Sequence, residues 1–166
     1  MSRSSPVTVR ERPVAASTST TGAVLVQGET FTVETDGRIH LVDLTDRVMA
    51  HVRGLGVAEG LVHVFALHTT CSVFVNEAQS ALLADIKHFL EHAVARDAEW
   101  KHNDPEHSDC DSFNADAHLR ALLLGPSVTL QVSGGEVVLG QWQRVLLAEL
   151  DGPRARSVRI MVMGTT

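Results

Sequence analysis

Cysteine is scarce in this sequence, which has two residues of this type, Cys71 and Cys110, in a chain of 166. Small secreted domains held by disulfides carry many more, so a disulfide scaffold is excluded and a reducing cytosol is the expected compartment. Long apolar runs are also missing. The stretch from Leu61 to Leu67 is interrupted by His63 and falls far short of the roughly 20 residues of a membrane-spanning helix. We therefore expect no transmembrane helix.

Basic residues are outnumbered by acidic ones, since 14 Lys and Arg stand against 20 Asp and Glu and the formal net charge is -6. Such a balance provides no broad positive field for nucleic acid or for an anionic membrane, and neither is an expected partner. A small anionic ligand would need a local basic pocket. The 44% hydrophobic content suits one domain with a buried core.

The first 22 residues differ in composition from the rest, because Ser and Thr dominate and three arginines add charge. We predict a disordered tail over residues 1–22 and a single domain over 23–166. An Arg- and Ser-rich start is also typical of organelle transit peptides. The segment contains Pro6 and Pro13 and has no clear amphipathic helix, which favours the tail.

Hydrophobic periodicity predicts helices over 78–95 and 115–124, and Thr45 is placed to cap a third, shorter helix. The Asp36-Gly37 pair is a strong turn signal and predicts a hairpin over 29–44. Further strands are predicted at 61–67, 72–75, 128–132, 136–142, 144–150 and 157–163. Because the helices need an apolar surface to cover, we expect an α+β fold with a mostly antiparallel sheet.

The two longer helices have predicted apolar faces, formed by Leu82, Ile86, Phe89, Leu90 and Ala93 in the first and by Ala115, Leu119, Leu122 and Leu123 in the second. His88 and His92 have the i, i+4 spacing of a chelating pair. They point away from the apolar stripe, so a solvated face is expected. Asn114 is a good N-cap for the second helix.

The segment WKHNDPEHSDCDSFNADAHLRALLL, residues 100–124, carries three histidines, His102, His107 and His118. Each imidazole can offer a neutral nitrogen to a metal, to a phosphate or to a proton in transit. A solvated acidic loop is the alternative. If His68, His102 and His118 converge, they would form an open three-nitrogen zinc site, and direct contact with phosphate is the competing role.

His68 lies where a predicted strand is interrupted, so its ring can leave the sheet. The adjacent Thr69 and Thr70 offer hydroxyl and backbone N–H groups to an oxyanion. A core histidine satisfied by one carbonyl is the alternative. Asn76 and Glu77 directly precede the long helix, where Asn76 fits a capping role and Glu77 is a candidate base or ligand.

The stretch Asp151-Gly152-Pro153-Arg154 has the composition of a turn between strands. If the chain is extended beyond it, Arg154 and Arg156 lie on the same side and form a two-pronged anion site. Salt bridges to Glu149 and Asp151 are an equally good interpretation of such closely spaced opposite charges.

Four segments, in order along the chain, resemble the YjbQ family, often labelled secondary thiamine-phosphate synthase: HTTCSVFVNE (68–77), KHND (101–104), NADAHLRALLLGPS (114–127) and LGQWQRVLLAELDGPRARSVRI (139–160). The resemblance covers the chain from about residue 22 to the end. One departure is that the family usually has a proline in the strand after GPS, where this chain has TLQV (129–132). That difference affects a strand edge more than chemistry.

The resemblance implies a compact α+β fold with a large mixed, mostly antiparallel sheet covered by a few helices. It also implies a homotrimer with sites near subunit interfaces. The implied activity is weak formation of thiamine phosphate and pyrophosphate from a pyrimidine diphosphate and a thiazole phosphate. The family pattern falls on His68, Asn76, Glu77, His102, His118, Trp142, Gln143, Glu149, Asp151, Arg154 and Arg156.

From residues and resemblance together we expect a histidine-rich pocket that binds a phosphorylated small molecule. Catalytic roles are predicted for His68, Glu77, His118 and Glu149; substrate contacts for Thr69, Thr70, Asn76, Trp142, Gln143, Arg154 and Arg156; and a divalent metal, zinc, at His68, His102 and His118. The alternatives are a metal-dependent hydrolase with Glu77 or Glu149 as base, and a ligand-binding protein without turnover.

Overall fold

The computed structural model describes residues 19–166, so most of the predicted tail lies outside the described residues. The strands are β1 (Val24–Glu34), β2 (His40–Asp43), β3 (Glu59–Ala66), β4 (Cys71–Asn76), β5 (Ser127–Ser133), β6 (Glu136–Val137), β7 (Arg144–Glu149) and β8 (Ala155–Thr165). The helices are α1 (Thr45–Leu55), α2 (Ser80–Ala93) and α3 (Ala115–Leu124), with a 3-10 helix at Lys101–Asn103. The predicted α+β fold is confirmed.

The strands form two sheets, one of five strands in the order β1-β8-β3-β5-β6 and one of three in the order β2-β7-β4. Every pairing within them is antiparallel. The longest pairing joins β1 to β8 along the full length of both strands, from Val24 opposite Thr165 to Glu34 opposite Ala155. The central strand of the larger sheet is β3, which pairs with β8 on one side and with β5 on the other.

The smaller sheet is the middle layer of the molecule, since every residue of β7 is buried. Val145 and Leu147 belong to a core cluster shared with the larger sheet and α1. Ala148 belongs to a second cluster with Leu90 of α2 and Ala121 of α3. Each large aliphatic side chain buried in this way stabilises the fold by about 1.5–3 kcal/mol. The helices α2 and α3 therefore cover the outer face of the middle sheet.

The predicted hairpin over 29–44 is wrong in its pairing, although β1 and β2 are both strands. β1 pairs with β8 and β2 pairs with β7, so the two belong to different sheets. The segment between them is bound to the turn after β7 instead. Thr35 donates its N–H to the carbonyl of Arg154, and Gly152 donates to the carbonyl of Arg38. This connection brings the β1–β2 loop to the candidate site.

The predicted capping of two helices is also corrected. Thr45 is the first residue of α1, and both its N–H and its hydroxyl donate to the carboxylate of Asp43. Asn114 occupies the N-cap position of α3, but its side chain does not cap the helix. The N–H of Ala115 instead donates to Oδ1 of Asn103 over 3.0 Å. The side chain of Asn114 is thereby available for the contact described below.

The bounds of α3 agree with the prediction, but two of the four residues of its predicted apolar face are exposed. Leu122 and Leu123 are 78% and 59% exposed, while Asp116 and Arg120 are buried. Arg120 Nη1 lies 2.8 Å from Asp116 Oδ2. This ion pair satisfies both charges, so a polar stripe can face the core. On α2, Phe89 is likewise exposed despite its place in the predicted stripe.

The strand predicted over 136–142 is reduced to the two residues of β6.

No helix among residues 19–166 is both long and apolar enough to cross a membrane. Cys71 and Cys110 are free thiols, and burial raises the pKa of Cys71 to about 12.

Candidate anion-binding site

Asp151, in the turn between β7 and β8, binds three parts of the chain together. Its carboxylate accepts hydrogen bonds from Arg38 Nη1 at 3.1 Å, Asn114 Nδ2 at 2.8 Å and Arg154 Nη2 at 2.8 Å. Asp151 itself is buried. A buried carboxylate is stable when cations and N–H groups surround it, as here. The β1–β2 loop, the start of α3 and the β7–β8 turn therefore meet at one residue.

Glu149 is fully buried and forms an ion pair with Arg156. Arg156 Nε donates to Glu149 Oε2 over 2.5 Å, and the N–H groups of Leu150 and Asp151 donate to Oε1 over 2.9 and 2.8 Å. Thr35 donates its hydroxyl to Oε2 over 3.1 Å. With these lone pairs occupied, the geometry favours a structural role for Glu149 over the predicted role as a base.

Arg156 is 4% exposed and does not extend toward solvent. Its Nη2 also donates to Thr70 Oγ1 over 3.0 Å, which explains the burial of Thr70. Burial works to lower the pKa of Arg156, yet the hydrogen bonds and charge of Glu149 prevail and the pKa is raised. Arg156 is thus a permanent cation held inside the fold.

Arg154 precedes β8 and has a side chain that is 49% exposed. Its Nε donates to the carbonyl of Asp151 over 2.7 Å and its Nη2 to the carboxylate. Arg154 and Arg156 therefore do not form a matched pair of prongs, because Arg154 lies in the turn and Arg156 lies in the strand. The structure shows the salt bridges that the sequence offered as the alternative. Nη1 of Arg154 has no partner among residues 19–166.

His68, which follows β3, accepts the backbone N–H of Ser157 at Nε2 over 2.7 Å. A backbone N–H can only donate, so Nε2 carries the lone pair and the ring proton of the neutral imidazole is on Nδ1. The pKa of His68 is lowered, first by burial and then by the charges of Arg156 and Arg154, against an opposing effect of Glu149. His68 is therefore a neutral ring with Nδ1–H as its donor. Thr69 next to it is exposed.

His102 and His118 come together, with ring centroids 5.0 Å apart and ring planes at 85°. His118 is on α3, and His102 is on the 3-10 helix that the Asn103 to Ala115 hydrogen bond joins to α3. Burial lowers the pKa of His118, and the charge of His102 lowers it further, while Asp151 and Asp116 raise it. The neutral form of the half-buried His118 is therefore favoured. His107 pairs with Asp104 instead.

The predicted three-histidine zinc set does not fit this arrangement. Residues 19–166 contain no group of three His, Cys, Asp or Glu side chains placed to hold a metal ion. Nε2 of His68 already accepts a backbone N–H. Binding through Nδ1 would move the proton to Nε2, where it would face that same N–H. Zinc stays a prediction for His102 and His118, which would need another ligand.

Four other predicted residues lie far from His68. Asn76 is the last residue of β4 and Glu77 follows it, and Trp142 and Gln143 precede β7. Cys71 is opposite Glu149 and Asn76 is opposite Arg144, so five residues of strand separate the two ends, about 17 Å. Trp142 is 55% exposed. These residues cannot share one small ligand with His68 within a single copy of the chain.

Three residues of the site framework, Arg38, Asn114 and Asp116, were not among the predicted site residues. Arg38 binds both Asp151 and Asp116, and Asn114 binds Asp151. The i, i+4 spacing of Asp116 and Arg120 was a signal for their ion pair. Oδ1 of Asn114 is buried with no hydrogen-bond partner among the described residues. Asp151 fixes the amide in this orientation because a carboxylate can only accept.

The family model described as "UPF0047 protein YjbQ-like" matches residues 29–165. The chain belongs to the YjbQ family. A UPF0047 protein of Methanothermobacter thermautotrophicus is 42% identical over 132 residues, which cover 80% of this chain and 88% of that protein. The residues that the family model matches include the whole candidate site.

Two solved structures have the same YjbQ-like fold. A YbjQ-like protein from Sulfolobus solfataricus P2 has a TM-score of 0.80 and 34% identity, covering 86% of this chain and 99% of that one. A hypothetical protein from Aeropyrum pernix K1 has a TM-score of 0.76 and 38% identity, covering 83% and 98% of the two chains. The fold and family expected from the four sequence segments are therefore confirmed.

Proposed function

We propose that this chain binds the phosphate group of a small molecule at His68 and Arg154, beside His118. The observation that carries this proposal is the hydrogen bond from Ser157 to His68. It leaves a neutral imidazole with an N–H donor close enough to two arginines for their charges to lower its pKa. A neutral donor between cations suits an oxyanion better than a metal ion.

Each of the three groups has a distinct part in this proposal. His68 donates from Nδ1, and Arg154 supplies charge and a free Nη1 while Asp151 orients its other nitrogens. His118, whose neutral form is favoured, is suited to accept a proton. The carboxylate of Asp151 binds Arg154 and its charge acts on His118, and the charge of Arg154 acts in turn on His68.

We propose thiamine-phosphate synthesis as the reaction, and this part rests on the resemblance to the YjbQ family. In that reaction the thiazole nitrogen attacks the pyrimidine methylene carbon, and the bond from that carbon to pyrophosphate oxygen breaks. The site would then stabilise the charge that develops on the departing pyrophosphate. A divalent ion such as zinc at His102 and His118 would add Lewis-acid stabilisation if bound.

Product analysis separates this reaction from its two rivals. The purified protein is incubated with the pyrimidine diphosphate and thiazole phosphate, and separately with a panel of phosphate esters. The proposal is supported if the wild type forms thiamine phosphate, if Arg154→Gln abolishes this formation, and if Arg159→Gln leaves it intact. Arg159 is a matched control because it is an exposed arginine of β8, the strand that Arg154 directly precedes. Hydrolysis of an ester would support the hydrolase instead, and binding without products would support a binding protein.

We also propose that the chain assembles with copies of itself, as the family resemblance implies for a homotrimer. An open apolar row crosses the larger sheet, where Val26 is opposite Met163 and Met163 is opposite Leu61. These side chains are 59%, 48% and 44% exposed, and Met161 in the next row is 41% exposed. A contiguous apolar patch of this kind is typical of a protein interface. Assembly could also bring Trp142 of one copy near another copy's His68.

A further inference from the structure

A cavity of about 440 Å³ lies away from His68, between the β1–β2 loop, α2, the segment after α2 and α3. Arg38, Ile39, Lys87 and Arg120 form the part of its wall that is buried or half-buried. Glu91, Ala95, Arg96 and Asp97 are its exposed members. The sheltered part of the wall therefore carries three cations and an apolar side chain, and both acidic groups are among the exposed residues.

Two of the cations are fixed in place by one buried carboxylate. Asp116 accepts from Arg38 Nη2 at 3.0 Å and lies 2.8 Å from Arg120 Nη1. Arg120 also donates to the carbonyls of Leu90 and Val94, so its plane is held rigidly. The pKa of Arg120 is lowered by burial in the first place, with Arg38 and Arg96 contributing repulsion against the attraction of Asp116 and Glu91. An anion in the cavity would relieve that repulsion.

Other donors at the cavity are unused. Lys87 and Arg96 make no hydrogen bond or ion pair with any residue of 19–166. Nε of Arg38 is buried and has no hydrogen-bond partner in the same described part of the chain. A buried N–H without an acceptor is costly, so this arrangement favours an acceptor supplied by a bound ligand.

We propose that this cavity is a second anion site that binds a small organic anion through a carboxylate or phosphate group. Lys87 and Arg96 contact the ligand as mobile cations, and Arg38 and Arg120 form the rigid wall behind them. Ile39 gives the site an apolar surface for the uncharged part of the ligand. The site is distinct from His68 and Arg154, although Arg38 touches Asp151 with its other nitrogen. Lys87 and Arg96 belong to the cavity alone, so they separate the two sites.

Calorimetric titration with malonate and with inorganic phosphate, at constant ionic strength, tests the proposal. The titrations use the full chain carrying Arg154→Gln, so that the site at His68 does not dominate the signal. We expect saturable binding that Lys87→Gln with Arg96→Gln weakens by about tenfold or more, since two charge-assisted contacts are lost. Tighter binding of malonate indicates a carboxylate ligand, and tighter binding of phosphate indicates a phosphate ester.

Either of two results would overturn the second site: no saturable binding of either anion, or an affinity that the double substitution leaves unchanged. A melting curve of each variant checks the fold. Arg96 is exposed, so Arg96→Gln alone is a second variant that should keep the fold and still weaken binding. The His68 site is measured separately, by the change in pyrophosphate affinity that Arg154→Gln causes in the Lys87→Gln, Arg96→Gln background. Failure of one proposal is therefore distinguishable from failure of the other.

Discussion

Ser157 donates its backbone N–H to Nε2 of His68 over 2.7 Å, and this single contact decides which nitrogen of His68 carries the proton. The hydrogen bond exists because Leu67 also donates its N–H to the carbonyl of Ser157, which holds the chain after β3 beside β8. Protonation of the ring would set two N–H groups against each other. The local backbone thus maintains a neutral histidine next to Arg154 and Arg156.

The lowered pKa of His68 predicts a pH dependence of stability. An unfolded histidine titrates near 6.5, and the folded protein binds this proton less readily. The stabilisation is therefore complete above about pH 6.5 and is lost as the pH falls through the lowered folded pKa. We expect His68→Gln to show a smaller fall in melting temperature between pH 7.5 and pH 5 than the wild type. His88→Gln removes an exposed histidine as a control, and an identical fall in all three proteins would refute the prediction.

The ion pair of Glu149 and Arg156 predicts a large loss of stability when one partner is removed. Glu149→Gln would leave Arg156 buried without its counter-charge and should cost about 3–5 kcal/mol of unfolding free energy in urea. Glu136→Gln is the matched control, because it breaks the exposed pair with Arg53 and should cost about 1 kcal/mol or less. Similar losses in the two variants would mean that Glu149 is not the structural residue described here.

The open row of Leu61 and Met163 predicts self-association. Light scattering should give the mass of a trimer at micromolar concentration, and Leu61→Lys with Met163→Lys should shift it toward a monomer, because charges would be buried at the interface. Ala50→Lys, on the exposed side of α1, should leave the mass unchanged. A monomer mass for the wild type would contradict the proposed assembly, and it would also exclude a site shared between copies.

The pairing of His102 with His118 predicts where a divalent ion would bind. After loading with zinc and removal of excess, metal analysis should find zinc in the wild type and in His68→Gln but much less in His118→Ala. The result for His68→Gln follows from the engagement of Nε2 by Ser157. Equal, near-zero zinc in the three proteins would refute the metal site, and direct contact of the histidines with the anion would be the role that is left.

Local signals predicted much of the fold. Apolar periodicity and Gly125 fixed the bounds of α3 at Ala115 and Leu124. The burial of Asp116 was beyond local signals, because it depends on Arg38, which is 78 residues away in sequence. Long-range pairing also decided that β1 joins β8, since a turn signal at Asp36-Gly37 contains no information about a strand at the far end of the chain.

The candidate site was predicted only in part, because local signals identify its residues but do not show which distant segments meet. His102 and His118 do meet, through the contact of Asn103 with Ala115. Trp142 and Gln143 lie at the opposite end of β7 from Glu149, and a motif continuous in sequence can span the length of a strand. The role of Asp151 as the centre of the site required the fold, because its partners Arg38 and Asn114 come from two distant segments.

The central claim is that His68 and Arg154 bind a phosphate group, and calorimetric titration with pyrophosphate tests it most directly. The comparison is made in the Lys87→Gln, Arg96→Gln background, where the cavity no longer contributes, with Arg159→Gln as the charge control. Arg154→Gln should weaken binding by about ten- to a hundredfold, the equivalent of losing a charge-assisted hydrogen bond of about 1.5–3 kcal/mol. An affinity that Arg154→Gln leaves unchanged, or that Arg159→Gln reduces equally, would contradict the account.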